Sequence, residues 1–151
     1  MLEKEFNKRI KDQVIKTGGW AFKIADPPKA VARSVVKNPF DGFGILGDGT
    51  PIYWEAKIES TPKAFSFTRI APHQLESLAS IRSLNPQTST VIVLGMPLEG
   101  YRSVRVWLFD VGRIITRIKS GAKSVPLKEL VGLPHWSISD LSDEVLRGGT
   151  K

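Results

Sequence analysis

Apolar and polar positions alternate most cleanly over Ile52 to Ile58, where Ile52, Trp54, Ala56 and Ile58 interleave with Tyr53, Glu55 and Lys57. A strand sends two such sets to opposite faces. Just before it, Gly47-Asp48-Gly49 separates two runs rich in aromatic and branched residues, the pattern of a β-hairpin closed by a tight turn. Helical spacing governs the start of the chain. From Leu2 to Lys16, at about 100° per residue, Leu2, Phe6, Ile10 and Val14 fall on one side, with Gln13 at its border. Glu3 lies inside that apolar sector, whereas Glu5 projects opposite it with Arg9 and Asp12. Thr17-Gly18-Gly19 ends the helix, and Trp20 to Ile24 alternates as a first strand.

Asp26-Pro27-Pro28 then breaks regular structure, and Lys29, Arg33 and Lys37 recur at four-residue spacing. On a helix those three cations share one face; the segment Ala25 to Lys37 is either a basic projection into nucleic acid or a solvated loop. After the hairpin, Glu59 to Ile70 reads as a connecting loop holding Lys63 and Arg69. Pro72 opens a second helix, with Leu75, Leu78, Ala79 and Arg82 on one side, which Asn85-Pro86 stops. Thr90 to Leu94 has the continuous apolar character of a central buried strand. Val104, Val106 and Leu108 alternate with Arg105, Trp107 and Phe109 as a final long strand, and Ile114, Ile115 and Ile118 predict a short helix between Asp110 and Gly121. The tail from Leu127 has room for one or two short helices. Helix, strand, strand, strand, helix, strand, strand, helix is the order of a mixed α/β sheet with helices packed against it, not of a doubly wound fold.

Composition narrows the setting. The 151 residues suffice for a single domain, and 41% hydrophobic with 25% charged residues is a globular balance. Without cysteine there is no disulfide framework and no Cys-based zinc site, which suits the cytoplasm. No apolar run reaches the roughly 20 residues of a membrane span, and Leu2-Glu3-Lys4-Glu5 is not the start of a signal peptide. A formal charge of +7 tilts the chain toward a polyanionic partner, since lysines and arginines that meet phosphates release counterions.

The hairpin concentrates the chemistry. Folding back across the turn places Asp41 opposite Glu55 or Ala56, with Lys57 on the same face as Glu55. Two carboxylates on adjacent strands repel unless a cation lies between them, and such oxygen ligands suit Mg²⁺. Lys57 adds a positive charge able to orient water or to offset charge on a phosphate. The same residues also admit a plainer arrangement: a Glu55-Lys57 ion pair on a strand surface, Asp41 as a turn residue after Pro39, and Glu3 at a fraying helix start. His73 and His135 have no zinc spacing. Gly42 and Gly44 lie in a strand, where glycine relieves crowding, rather than in a phosphate loop. The four tryptophans, Trp20, Trp54, Trp107 and Trp136, are core or edge aromatics, and an exposed one can stack on an unpaired base.

A helix with Glu near its start, a hairpin carrying Asp and Glu-x-Lys, and a helix opened near a Gln together resemble the PD-(D/E)xK nuclease superfamily. Within it, Asn38-Pro39-Phe40-Asp41-Gly42, Glu55-Ala56-Lys57, and Phe65-Ser66-Phe67 through Ile70 to His73-Gln74 resemble the RecU-type Holliday-junction resolvases, over roughly the first two thirds of the chain. The resemblance implies a restriction-endonuclease-like mixed β-sheet flanked by helices. It implies Asp41, Glu55 and the carbonyl of Ala56 as ligands of Mg²⁺, for which Mn²⁺ can substitute. Lys57 becomes the catalytic lysine, Glu3 the acidic residue of the first helix in preference to Glu5, and Gln74 the residue that steadies the water or the lysine. The family's basic stalk falls on Lys29, Arg33 and Lys37, shortened and opened by Pro27-Pro28, with Lys63 and Arg69 as further DNA contacts. The implied activity is cleavage of four-way DNA junctions in recombination and repair by a homodimer. A nuclease for other DNA structures, or a non-cleaving DNA-binding protein of the same fold, is the alternative.

Overall fold

A computed structural model describes residues 1–25 and 38–148 of the chain. Lys29, Arg33 and Lys37, and with them nearly all of the expected basic segment, lie outside the described residues. The first half comprises α1 (Glu3–Lys16), β1 (Trp20–Lys23), β2 (Gly42–Ile45), β3 (Pro51–Ile58), β4 (Phe65–Ser66) and α2 (Pro72–Leu84). The second comprises β5 (Ser89–Met96), β6 (Arg105–Asp110), α3 (Val111–Lys119), β7 (Ser124–Val125), α4 (Leu127–Gly132), β8 (Trp136–Ser137) and α5 (Asp143–Gly148).

Six strands form one mixed sheet in the order β1-β2-β3-β5-β6-β8. β1, β2 and β3 run as an antiparallel meander that sets Phe22 opposite Phe43 and Phe43 opposite Tyr53. Its tight turn needs Gly49, whose φ of +91° suits no side chain. β5 lies parallel to β3 and antiparallel to β6. It is buried from end to end, as an unbroken apolar run between two covered faces should be.

Each face of the sheet carries its own core. On one, Phe6, Ile10 and Val14 of α1 pack against Ile52, Trp54 and Ala56 of β3, joined by Ile138, Leu141 and Leu146 from the tail. On the other, Leu78 of α2 and Val111 and Ile114 of α3 cover Ile92, Leu94, Trp107 and Phe109. β3 therefore supplies one face to α1 and keeps Tyr53, Glu55 and Lys57 for the other.

Three expectations change. Leu2 is 78% exposed rather than packed with Phe6, because it is the extended residue before the helix, where a helical angle has no meaning. The segment after the hairpin is not a plain loop: β4 pairs with β7, and a 3₁₀ turn at Phe67–Arg69 follows, burying Phe65 and Phe67 in the second core. The tail forms α4 and α5 but also β8, which adds a last strand beside β6. Trp54 and Trp107 are fully buried, while Trp20 stands exposed on the edge strand next to Phe22. No helix among the described residues is long and apolar enough to cross a membrane.

Candidate functional site

The site forms where the hairpin runs out of partner strand. β2 begins at Gly42, opposite Trp54, while β3 continues to Ile58. Asp41 N donates to Trp54 O at 2.9 Å, and the Asp41 carboxylate then accepts the next donor on that edge, Ala56 N, through Oδ2 at 2.9 Å. A side chain thus takes the place of a missing strand. Trp54 and Ala56 are two residues apart and turn their backbone groups to the same edge, so the Ala56 carbonyl faces the same notch as Asp41. Gly42 is required here because a Cβ would collide with the Trp54 ring lying against it. That is a packing role, not a phosphate loop.

Into this notch α1 brings its first turn. Carboxylate oxygens of Glu3, Asp41 and Glu55 all lie within 4.8 Å of one another. Glu5 points away and pairs with Arg9 at 3.1 Å. One turn beyond Glu3, the buried Asn7 accepts a hydrogen bond from Trp54 Nε1 at 2.9 Å and donates through Nδ2 to Asp41 Oδ2 at 3.2 Å. Asn7 belongs to none of the sequence motifs described above. Its signal was position: about 40° from Glu3 on the helical wheel, it is a polar residue inside the buried arc.

Glu55 is the most buried of the three carboxylates. Lys57 Nζ sits 2.9 Å from its Oε2, with side-chain exposures of 11% and 1%, so the pair exists but is interior rather than a strand-surface ion pair. Its Oε1 is buried and has no hydrogen-bond partner among the described residues. Burial first, and the charge of Asp41 next, push its carboxyl up to about 7, against the opposing pull of Lys57. A cluster of oxygen donors with one buried lone oxygen and a carboxylate that resists ionising fits a hard divalent cation, which would engage that oxygen and relieve the repulsion.

The remaining predicted residues fall around this centre. Lys63 and Arg69 both turn to one buried carboxylate, Glu59: Lys63 Nζ lies 3.0 Å from Oε2, and Arg69 is bonded to Oε1. Neither cation joins the acidic cluster. Gln74 stands in the first turn of α2, where its Oε1 accepts from Ala71 N at 3.1 Å, a helix-capping bond. His73 Nε2 lies 3.1 Å from Asn38 O, which ties the start of α2 to the segment leading into Asp41. His135 takes a hydrogen bond from Arg105 at 2.8 Å on Nδ1.

No protein-family model matches the chain, and no curated protein matches it. Among solved structures it is similar to the 1.6 Å resolution structure of Hjc, a Holliday junction resolvase from the archaeal hyperthermophile Archaeoglobus fulgidus. The TM-score is 0.53 at 15% sequence identity, over 91% of this chain and 98% of that one. The likeness establishes the expected fold, a mixed α/β sheet flanked by helices.

Proposed function

We propose that the protein is a metal-dependent, structure-selective DNA endonuclease that hydrolyses phosphodiester bonds in four-way junctions, in the manner of the RecU-type resolvases its motifs resemble. One observation carries this reading: Glu3, Asp41 and Glu55 meet within 4.8 Å with the Lys57 ammonium 2.9 Å from Glu55. The match in fold to a protein described as a Holliday junction resolvase, and the +7 formal charge, support DNA as the substrate.

Asp41 and Glu55 would hold Mg²⁺ or Mn²⁺ with the Ala56 carbonyl, and Glu3 completes the acidic set from α1. When bound, such an ion supplies Lewis-acid polarisation of a phosphoryl oxygen and acidification of water. Lys57, held by Glu55, places an ammonium where it can orient the attacking water and offset charge developing on the phosphate. Gln74 spends its carbonyl on the helix cap, leaving its amide NH₂ to steady that water or Lys57. Lys29, Arg33, Lys37, Lys63 and Arg69 contact backbone phosphates. A four-way junction has approximate two-fold symmetry and needs two cuts, so the economical assembly is a C2 homodimer.

The test is cleavage of an end-labelled synthetic four-way junction beside a linear duplex of the same sequence, with and without Mg²⁺, using Asp41→Ala as control. Paired symmetric cuts that need both metal and Asp41 are expected. Equal cutting of both substrates would remove junction selectivity, and tight binding without cleavage in Mg²⁺ or Mn²⁺ would sink the catalytic reading.

A further inference from the structure

We propose that Asn7 is a positioning residue that sets the Asp41 carboxylate for cation binding, and that the indole N–H of Trp54 in turn sets Asn7. The inference rests on the metal-site reading above and adds to it a part of the machinery that holds no ligand atom itself.

The orientation of the Asn7 amide follows from its neighbours. An indole nitrogen only donates, so the end of the amide 2.9 Å from Trp54 Nε1 has to be the oxygen. The NH₂ group is thereby turned to Asp41 Oδ2, 3.2 Å away. A flipped amide would set two donors face to face and press its oxygen against a carboxylate. Asn7 is 3% exposed, so solvent is a poor substitute for either partner. Trp54 is itself fixed: its side chain is fully buried and its ring lies against the Gly42 backbone.

Asp41 Oδ2 receives two donors, Asn7 Nδ2 and Ala56 N, from two different elements. Together they fix the position of that oxygen without introducing another charge. Because Asn7 follows Glu3 by four residues, one turn of α1 delivers Glu3 to the acidic cluster and the amide to Asp41. A hydrogen-bond chain running from the core, Trp54 to Asn7 to Asp41, thus ties the helix that carries Glu3 to the hairpin carboxylate.

The experiment is calorimetric titration of Mg²⁺ and of Mn²⁺ into the wild-type protein, Asp41→Ala, Asn7→Leu and Trp54→Phe, with metal-free thermal melts to establish folding. Asn7→Leu is expected to weaken metal binding about tenfold or more, the effect usual for a group that orients a ligand, and Trp54→Phe to weaken it less. Asn7→Ser, which also cannot bridge Trp54 and Asp41, replaces Asn7→Leu if the latter does not fold. The Trp54 indole N–H resonance is expected to shift on adding Mg²⁺ in the wild type and to stay still in Asn7→Leu, a signature that packing alone does not produce. Wild-type affinity in a folded Asn7 variant, with Asp41→Ala still abolishing binding, would overturn the role of Asn7 and leave the metal site standing. Failure of the wild type to bind either ion, or equal binding by Asp41→Ala, would overturn both.

Discussion

Glu55 and Glu59 lie four residues apart along β3 and its extension, both buried, at 1% and 4% exposure, and the fold treats them oppositely. Glu59 has each oxygen occupied by a cation, Arg69 on one and Lys63 on the other. Glu55 has Lys57 on one oxygen, no hydrogen-bond partner on the other among the described residues, and two further carboxylates beside it. A buried charge is tolerated when its neighbours neutralise it and strained when they do not. Glu59 therefore reads as a structural anchor that fixes two basic side chains, and Glu55, under the proposed function, as a group arranged to take up a cation. Burial alone does not distinguish them; the balance of charge around each does.

The largest expected separation is in catalysis. Glu55→Gln should lower the junction cleavage rate by about 10³-fold, because the lost metal chemistry accounts for several kcal/mol of transition-state stabilisation. Glu59→Gln should leave Mg²⁺ affinity at the wild-type value, and single-turnover cleavage of a labelled junction for the first variant beside calorimetric Mg²⁺ titration of the second reads the contrast.

Stability against pH separates the two next. With its carboxyl pushed up to about 7, metal-free folded protein holds the Glu55 proton more tightly than the unfolded chain does. The contribution of Glu55 to stability should accordingly fall as pH rises from about 4.5 to about 7 and level off above, by on the order of 3 kcal/mol. Urea melts across this range, in EDTA and in Mg²⁺, test the sign: the fall should vanish in Glu55→Gln and shrink when metal is present. A stability difference between wild type and Glu55→Gln that climbs over the same window in EDTA would contradict the strain assigned to Glu55.

Smaller still is the cost of breaking the balanced cluster. Glu59→Gln leaves Arg69 and Lys63 without their counter-charge, but both reach solvent, so the loss should be about 1–2 kcal/mol in chemical denaturation. Last, Arg69→Ala or Lys63→Ala should reduce the slope of log junction affinity against log salt by about one each if the side chain meets a phosphate. An unchanged slope would confine that residue to its bond with Glu59.

Much of this architecture is legible in the sequence. The period-2 run Ile52–Ile58 and the 3.6-period run through Phe6, Ile10 and Val14 are long and regular, and both became the elements they predict. β4, β7 and β8 were not legible, since each spans two residues, too few to show a period, and each owes its existence to a partner distant in sequence. The two glutamates illustrate the same limit at the level of single residues. Glu55-x-Lys57 carries a motif, whereas Glu59 in a stretch with Ser60, Thr61 and Lys63 looks like a polar loop until Arg69 is folded back onto it.

By itself, the sequence determined the helical face of α1, the hairpin, the buried strand β5 and the residue types of a carboxylate site, because these depend on spacing along the chain and on local backbone preference. Only the tertiary structure decided that Glu3 reaches Asp41 and Glu55, that Asp41 caps an edge left open by the end of β2, and that Asn7 stands between Trp54 and Asp41. Those contacts join groups that local periodicity cannot relate, and their energetics depend on burial and on the sum of neighbouring charges, quantities that exist only once the chain has folded.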